Sequence, residues 1–201
     1  GELIVDKVSN IKIEDFKKEK IGNITFKEAY YKNHIDEILK ISFLNLNKIK
    51  SKNYRVVIDG INSTGGIAVP YLLSKLNIKC VELNCIPDGN FSHNPEPLKE
   101  NLKELCESVK LNSADFGIAV DPDVDRLVFV DEKGEVFGEE YTLVVCADYI
   151  LSKTPGNTVS NLSSTRALSD ITKKYGKKYF SSSVGEVNVV KKMKENNAVI
   201  G

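Results

Sequence analysis

The 201-residue chain sets 28 Lys+Arg against 28 Asp+Glu, is 41% hydrophobic and 8% aromatic, and so has the composition of an ordinary folded protein with zero formal net charge. That balance gives no whole-chain electrostatic reason to bind nucleic acid or an anionic membrane surface. No apolar run approaches the roughly 18 residues of a membrane helix and no basic-then-apolar leader opens the chain, so a cytoplasmic protein is expected, with no nucleic-acid or membrane partner.

Residues 1–33 are polar and lysine-rich, lightly punctuated by Ile, Val and Phe, and are expected to be a lead-in, such as a strand pair leaving an earlier domain. From His34 the spacing of Ile35, Ile38, Leu39 and Ile41, with Leu44 and Leu46, predicts one or two helices. Tyr54 to Asp59 is a continuous β-branched run of the kind buried in parallel sheets, and Gly60 to Gly66 breaks it. The alternation then predicts a helix over Ile67–Leu76, a strand over Ile78–Leu83, a helix over Leu98–Leu111, strands over Phe116–Val120 and Leu127–Val130, and a helix over Tyr141–Leu151. Breakers cluster at Lys153-Thr-Pro-Gly-Asn157. Beyond them a strand is expected at Thr158–Leu162, a helix at Arg166–Tyr175, a strand at Lys178–Phe180, a helix at Glu186–Glu195 and a last strand at Val199. Strands alternating with helices imply crossover units. The expected fold is a layered α/β structure with a mixed, mostly parallel sheet: one complete domain over 34–153 and part of a second, similar one over 154–201. A start at Gly1 rather than Met, and a stop directly after Ala198-Val-Ile200, read as the ends of a piece cut from a longer protein.

Cys80, Cys85, Cys106 and Cys146 form no C-x-x-C pair and have only His34 and His93 beside them in the sequence, so zinc is not expected. Reduced, mostly buried thiols are the expectation. From Ser169 to Gly201 seven lysines face only Asp170, Glu186 and Glu195, the one local charge skew.

The strongest chemical signal is Asp121-Pro-Asp-Val-Asp-Arg126, three carboxylates at alternate positions between the apolar runs Phe116-Gly-Ile-Ala-Val120 and Leu127-Val-Phe-Val130. Three like charges in one short loop repel unless a cation or an arginine neutralises them. A hard divalent ion suits three oxygen ligands, and magnesium usually keeps positions open for water or a phosphate oxygen. A calcium loop would use Asp121, Asp123, Asp125 and Glu132, but its sixth position is Arg126 rather than glycine and its flanks are strand-like. A haloacid-dehalogenase-type phosphatase would begin with its aspartates, whereas here 120 residues precede them. A plain acidic hairpin turn needs neither the third aspartate nor the arginine.

The loop resembles the metal loop of the α-D-phosphohexomutase superfamily (phosphoglucomutase, phosphomannomutase, phosphoglucosamine mutase), usually D-G-D-x-D-R. Other segments resemble that family in order: Val56-Val-Ile-Asp-Gly-Ile-Asn-Ser-Thr-Gly-Gly66, Pro87-Asp-Gly-Asn-Phe-Ser-His-Asn-Pro-Glu-Pro-Leu98, Gly138-Glu-Glu-Tyr-Thr-Leu143 and Val184-Gly-Glu-Val-Asn-Val-Val-Lys-Lys-Met193. The resemblance spans His34 to Gly201 and implies the second domain and the first part of the third. It implies that Asp121, Asp123 and Asp125 hold Mg²⁺ and that Arg126 steadies the phosphate or the loop. It also implies a hexose phosphate substrate, a phosphoserine on a missing first domain, a missing fourth domain, and a reaction that moves phosphate between two sugar hydroxyls through a bisphosphate. The piece alone is expected to show no turnover. The alternative is a non-catalytic α/β module whose acidic loop holds a structural cation.

Ser92-His-Asn-Pro95 spells the tail of the family's phosphoserine motif, T-x-S-H-N-P, but lies inside the Pro-Asp-Gly to Pro-Glu-Pro turn, with Phe91 where a small residue is expected. A proline-terminated turn, His93 and Asn94 bonding backbone, is the preferred reading. Pro122 replaces the usual glycine, and Ser183 and Glu186 stand where some members have lysine and histidine. Gly185 and Glu186 are candidates for substrate binding, with Glu186 equally well read as a helix-start carboxylate. Asn62 to Gly66 is read as a glycine-permitted turn rather than an anion cradle, and Thr165-Arg166 resembles a family position near a domain interface.

Overall fold

The computed structural model describes residues 2–10, 22–26, 29–138 and 140–201. These form two compact units, residues 1–30 and 31–201. In the first, Glu2–Asn10 is helix α1 rather than a strand, with Ile4 and Val8 one turn apart on an exposed apolar stripe. Residues 11–21, on which the expected strand pair also falls, lie outside the described residues.

The helical pattern read from His34 begins at Tyr30, the last residue of the first unit: α2 spans Tyr30–Ile38 and α3, in the second unit, spans Leu46–Ser51. Asn45 caps α3 by accepting the Lys48 backbone N–H at 2.9 Å. Strand β1 (Arg55–Asp59) leads into α4 (Gly65–Lys75), β2 (Lys79–Leu83), α5 (Lys103–Leu111), β3 (Phe116–Val120), β4 (Leu127–Asp131) and the short β5 (Val136–Phe137). The sheet order is β2-β1-β3-β4-β5; β1 pairs in parallel with β2 and β3, and β4 returns antiparallel to β3 and β5.

Successive side chains of a strand point to opposite faces, and β1 buries both. Val57 packs with Leu102, Leu105 and Val109 under α5, while Val56 and Ile58 pack with Leu73 of α4, Ile118 and Val120. The helix expected over Leu98–Leu111 is interrupted at buried Leu102, after a single 3-10 turn at Lys99–Asn101, so that α5 starts only at Lys103. Gly117 lets α5 approach β3, since a Cβ there would lie 2.8 Å from Val109 Cγ2.

Then follow α6 (Glu140–Lys153), β6 (Asn157–Asn161), α7 (Ala167–Lys174), β7 (Tyr179–Ser182), α8 (Glu186–Glu195) and β8 (Ala198–Ile200). The second sheet, β7-β6-β8, is wholly parallel. Helix α6 precedes the Pro155-Gly156 breaker yet buries Val144 and Ala147 with Leu168, Ile171 and Tyr179 of this second sheet and its helix. Among the described residues no helix is long and apolar enough to cross a membrane. All four cysteines are free thiols; Cys80, Cys85 and Cys106 are half-buried and Cys146 is exposed, so none is as buried as expected. Burial, reinforced by the charge of Glu82, pushes Cys80 up to about 12 and Cys85 up to about 11.

Candidate metal centre

Three loops leave the carboxyl ends of adjacent strands: 60–64 after β1, 84–97 after β2 and 121–126 after β3. Ligand crevices of open α/β sheets lie on that edge. Asp121 follows β3 directly and is 2% exposed, whereas Asp123 and Asp125 face solvent. One carboxylate oxygen from each of the three lies within 4.8 Å of the others. Between them the chain turns through Val124 at φ 63°, a conformation that a β-branched residue adopts only under constraint, and the Val124 N–H donates to the Asp121 carbonyl at 3.1 Å.

The loop is held from both sides. Pro122 offers a carbonyl that accepts from Ser63 Oγ at 2.7 Å and Thr64 Oγ1 at 3.0 Å. Asp121 accepts the Arg126 backbone N–H at Oδ1 and the Arg126 Nε at Oδ2, each at 3.0 Å. The Arg126 Nη1 reaches Glu96 Oε1 at 3.1 Å. Burial works to raise the Asp121 carboxyl, but the Arg126 backbone N–H, the Asp125 side chain and the guanidinium together bring it below the usual carboxylate range. Asp125 is pushed the other way, first by its hydrogen bond with Asp121 and then by the charges of Asp121 and Asp123. Carboxylates held this close repel one another, which marks a place where a cation satisfies both. The donor set is all oxygen, one member anchored and two open to solvent, which fits a hard divalent ion with free coordination positions.

Residues that the sequence did not single out complete the edge. Asp59, at the end of β1, is 1% exposed. Its Oδ1 accepts from the Ile61 N–H at 3.1 Å and from Asn84 Nδ2 at 3.2 Å, and its Oδ2 pairs with His93 Nε2 at 2.8 Å. The other His93 nitrogen faces the Asn94 carbonyl at 2.8 Å, so the expected backbone bond exists, and the tie to Asp59 adds to it. The sequence shows only that Asp59 closes the apolar run Val56–Ile58; its burial, which requires these hydrogen bonds, comes from the tertiary structure. Asn62 joins the same loops, its side-chain amide donating to the Ile86 carbonyl and accepting the Ser92 N–H. Ser92 lies at a bend of the 84–97 loop.

A cleft of about 520 Å³ runs from Glu96 and Arg126 to Glu140, Ser163, Ser164 and Thr165 beyond β6. The Thr165 N–H donates to Glu140 Oε2 at 2.6 Å. Gly185 (φ 116°) precedes α8, and Glu186 opens that helix as an exposed first-turn carboxylate. Among the described residues the acidic cluster comprises Asp121, Asp123 and Asp125, without Glu186. Of the segment Gly138 to Leu143, Glu139 lies outside the described residues.

Two family descriptions match the chain: phosphoglucomutase/phosphomannomutase alpha/beta/alpha domain II over residues 30–134, and domain III of the same proteins over residues 138–201. The second begins just before α6, the helix that packs on α7. A phosphoglucomutase/phosphomannomutase of Thermococcus kodakarensis is 39% identical over 94% of this chain and 42% of its own length. A phosphomannomutase/phosphoglucomutase of Pseudomonas aeruginosa is 35% identical over 75% of this chain and 33% of its own. The crystal structure of a phosphoglucomutase/phosphomannomutase family protein from Burkholderia thailandensis superposes with a TM-score of 0.74 at 28% identity, covering 85% of this chain and 37% of that one. The chain thus spans about two fifths or less of the length of these relatives. With two consecutive domain matches covering residues 30–134 and 138–201, the chain belongs to the phosphoglucomutase/phosphomannomutase family and carries its domain II and domain III sequences.

Proposed function

We propose that this chain is the metal-holding part of a magnesium-dependent phosphohexomutase, which interconverts hexose 1-phosphates and 6-phosphates through a phosphoserine on a separate domain and a bisphosphate intermediate. The observation that carries the reading is the convergence of Asp121, Asp123 and Asp125 oxygens within 4.8 Å beside an arginine held by the buried member of the three. In this reading the three aspartates hold Mg²⁺, which when bound neutralises charge spreading over the transferring phosphoryl group. The chain's own residues position. Asp121 fixes the Arg126 side chain by its Nε, leaving other guanidinium donors for a phosphate oxygen. Ser63 and Thr64 hold the loop by the Pro122 carbonyl, so that the carboxylates need little reorganisation to meet an ion. Gly185 and Glu186, at the carboxyl end of β7, are proposed to meet the sugar part of the substrate. Domains I and IV of the family architecture are the partners the reaction requires.

The test is a calorimetric titration of the 201-residue chain with MgCl₂. Wild type is expected to bind, and Asp123→Ala to bind at least about tenfold more weakly, because affinity follows the number of charged oxygen ligands. Equal affinity in the two proteins would overturn the metal assignment. Asp123 is exposed, so its loss leaves the fold intact as a control.

A further inference from the structure

Arg126 pairs with three carboxylates, Asp121, Glu96 and, at 3.8 Å, Asp125, and the two that it hydrogen-bonds differ sharply in their surroundings. Toward Asp121 the contact is doubled by the backbone N–H and ends on a side chain that is 2% exposed. Toward Glu96 it is a single contact of 3.1 Å between side chains 52% and 51% exposed. The first fixes the arginine; the second is a half-solvated ion pair, which water and salt screen readily.

Glu96 is nevertheless brought there deliberately by its main chain. Its N–H donates to Asn94 Oδ1 at 3.1 Å and its carbonyl accepts from Asn101 Nδ2 at 2.8 Å, which tether the backbone on both sides of the side chain. Glu96 and Arg126 line the same cleft as Ser163, Ser164 and Thr165. An arginine needed only to brace the aspartate loop is already held by Asp121. The contact with Glu96 instead engages Nη1 of a guanidinium whose residue lines the cleft.

We propose that Glu96 is an internal stand-in for the ligand's anionic group: it occupies the outer edge of Arg126 until a phosphate monoester enters the cleft and displaces it. The proposal rests on the phosphohexomutase reading for the identity of that anion. A phosphate dianion offers two charges and two oxygens to the planar guanidinium, and outcompetes one half-solvated carboxylate. A neutral sugar has no charge with which to break the pair, so Glu96 restricts the cleft to anions and keeps their binding weak enough for release. No bond is made or broken in this exchange.

The experiment titrates the 201-residue chain with inorganic phosphate, and separately with sulfate, at fixed ionic strength in EDTA, following backbone amide NMR shifts around the cleft. Glu96→Gln is expected to bind both anions about two- to fivefold more tightly than wild type, the range that corresponds to loss of one exposed competing ion pair. The gain is expected to vanish when Arg126→Gln is added. Glu100→Gln, which neutralises an exposed carboxylate outside the cleft lining, should leave the constants unchanged. Weaker or equal binding by Glu96→Gln overturns the proposal, because Glu96 would then only support Arg126. An equal gain from Glu100→Gln, or no anion binding by either wild type or Glu96→Gln, overturns it too. With metal removed, failure here leaves the aspartate site standing, and failure of magnesium to bind leaves this result readable.

Discussion

Asp59 is the residue whose burial needs most explanation, a carboxylate at 1% exposure beside Val56, Val57 and Ile58 at 0%. A buried charge is tolerated only when it is fully paired, and here the Ile61 N–H, Asn84 Nδ2 and His93 Nε2 converge on its two oxygens. Each of these donors comes from one of the loops that shape the candidate site, so Asp59 ties the 60–64 turn to the 84–97 loop. Asp59→Ala is expected to destabilise the chain by about 1–3 kcal/mol, the cost of leaving buried partners unmet, read from urea unfolding midpoints. The acidic triplet was legible residue by residue, because alternating carboxylates between two apolar runs are costly without a counter-ion. Glu96 and Asp59 were not: nothing local distinguishes a glutamate in a proline-rich turn, or an aspartate ending a strand, from a solvated one.

Among the elements, α4 illustrates why Gly65-Gly66 follows β1. A Cβ on Gly66 would lie 2.5 Å from the Cys85 carbonyl oxygen and 2.6 Å from its Cα, both backbone atoms that cannot swing aside. Gly66 therefore serves close approach of the helix start to the chain leaving β2, and a Cβ on Gly65 would lie 2.4 Å from Val120 Cγ2 at the end of β3. Gly66→Ala is expected to cost about 1–3 kcal/mol through overpacking, seen as a lower thermal midpoint with the magnesium affinity unaltered if the loop itself stays in place. Helix α6 meets α7 through Asp148, which accepts from the Tyr175 hydroxyl at 2.9 Å and from Lys174 Nζ at 3.2 Å. The Tyr175 hydrogen bond first, then Lys174, hold its carboxyl below the usual carboxylate range. A depressed carboxyl favours the folded state above its unfolded value and loses that contribution as pH falls through the folded one. Thermal melts should therefore show Asp148→Asn less stable than wild type at pH 7, with the gap closing in acid below the carboxylate range. The apolar runs at the centre of β1 and β3 were plain in the sequence. The two-residue β5 was not, because so short a strand carries no periodicity, and the break at Leu102 was hidden because the interrupted helix keeps its apolar spacing.

For the whole molecule, the arrangement of loops matters more than any one element. Parallel pairing of β1 with β2 and β3 places the 60–64, 84–97 and 121–126 segments on one edge, where Ser63, Thr64, Glu96 and Arg126 interlock around Asp121. Beyond them the cleft is closed by the chain after β6, through Thr165 and Glu140. The Pro155-Gly156 punctuation marks a turn in the chain, yet α6 before it packs onto the sheet after it, since a helix joins whichever apolar surface covers its stripe. The sequence by itself determined the alternation of strands and helices, the acidic loop and its call for a cation, because periodicity and like-charge crowding act between near neighbours. Tertiary structure alone decided that Glu96 answers Arg126, that His93 answers Asp59 and that α6 belongs with the second sheet. These pairings join residues remote along the chain, and only strand order and helix packing bring them within hydrogen-bond reach.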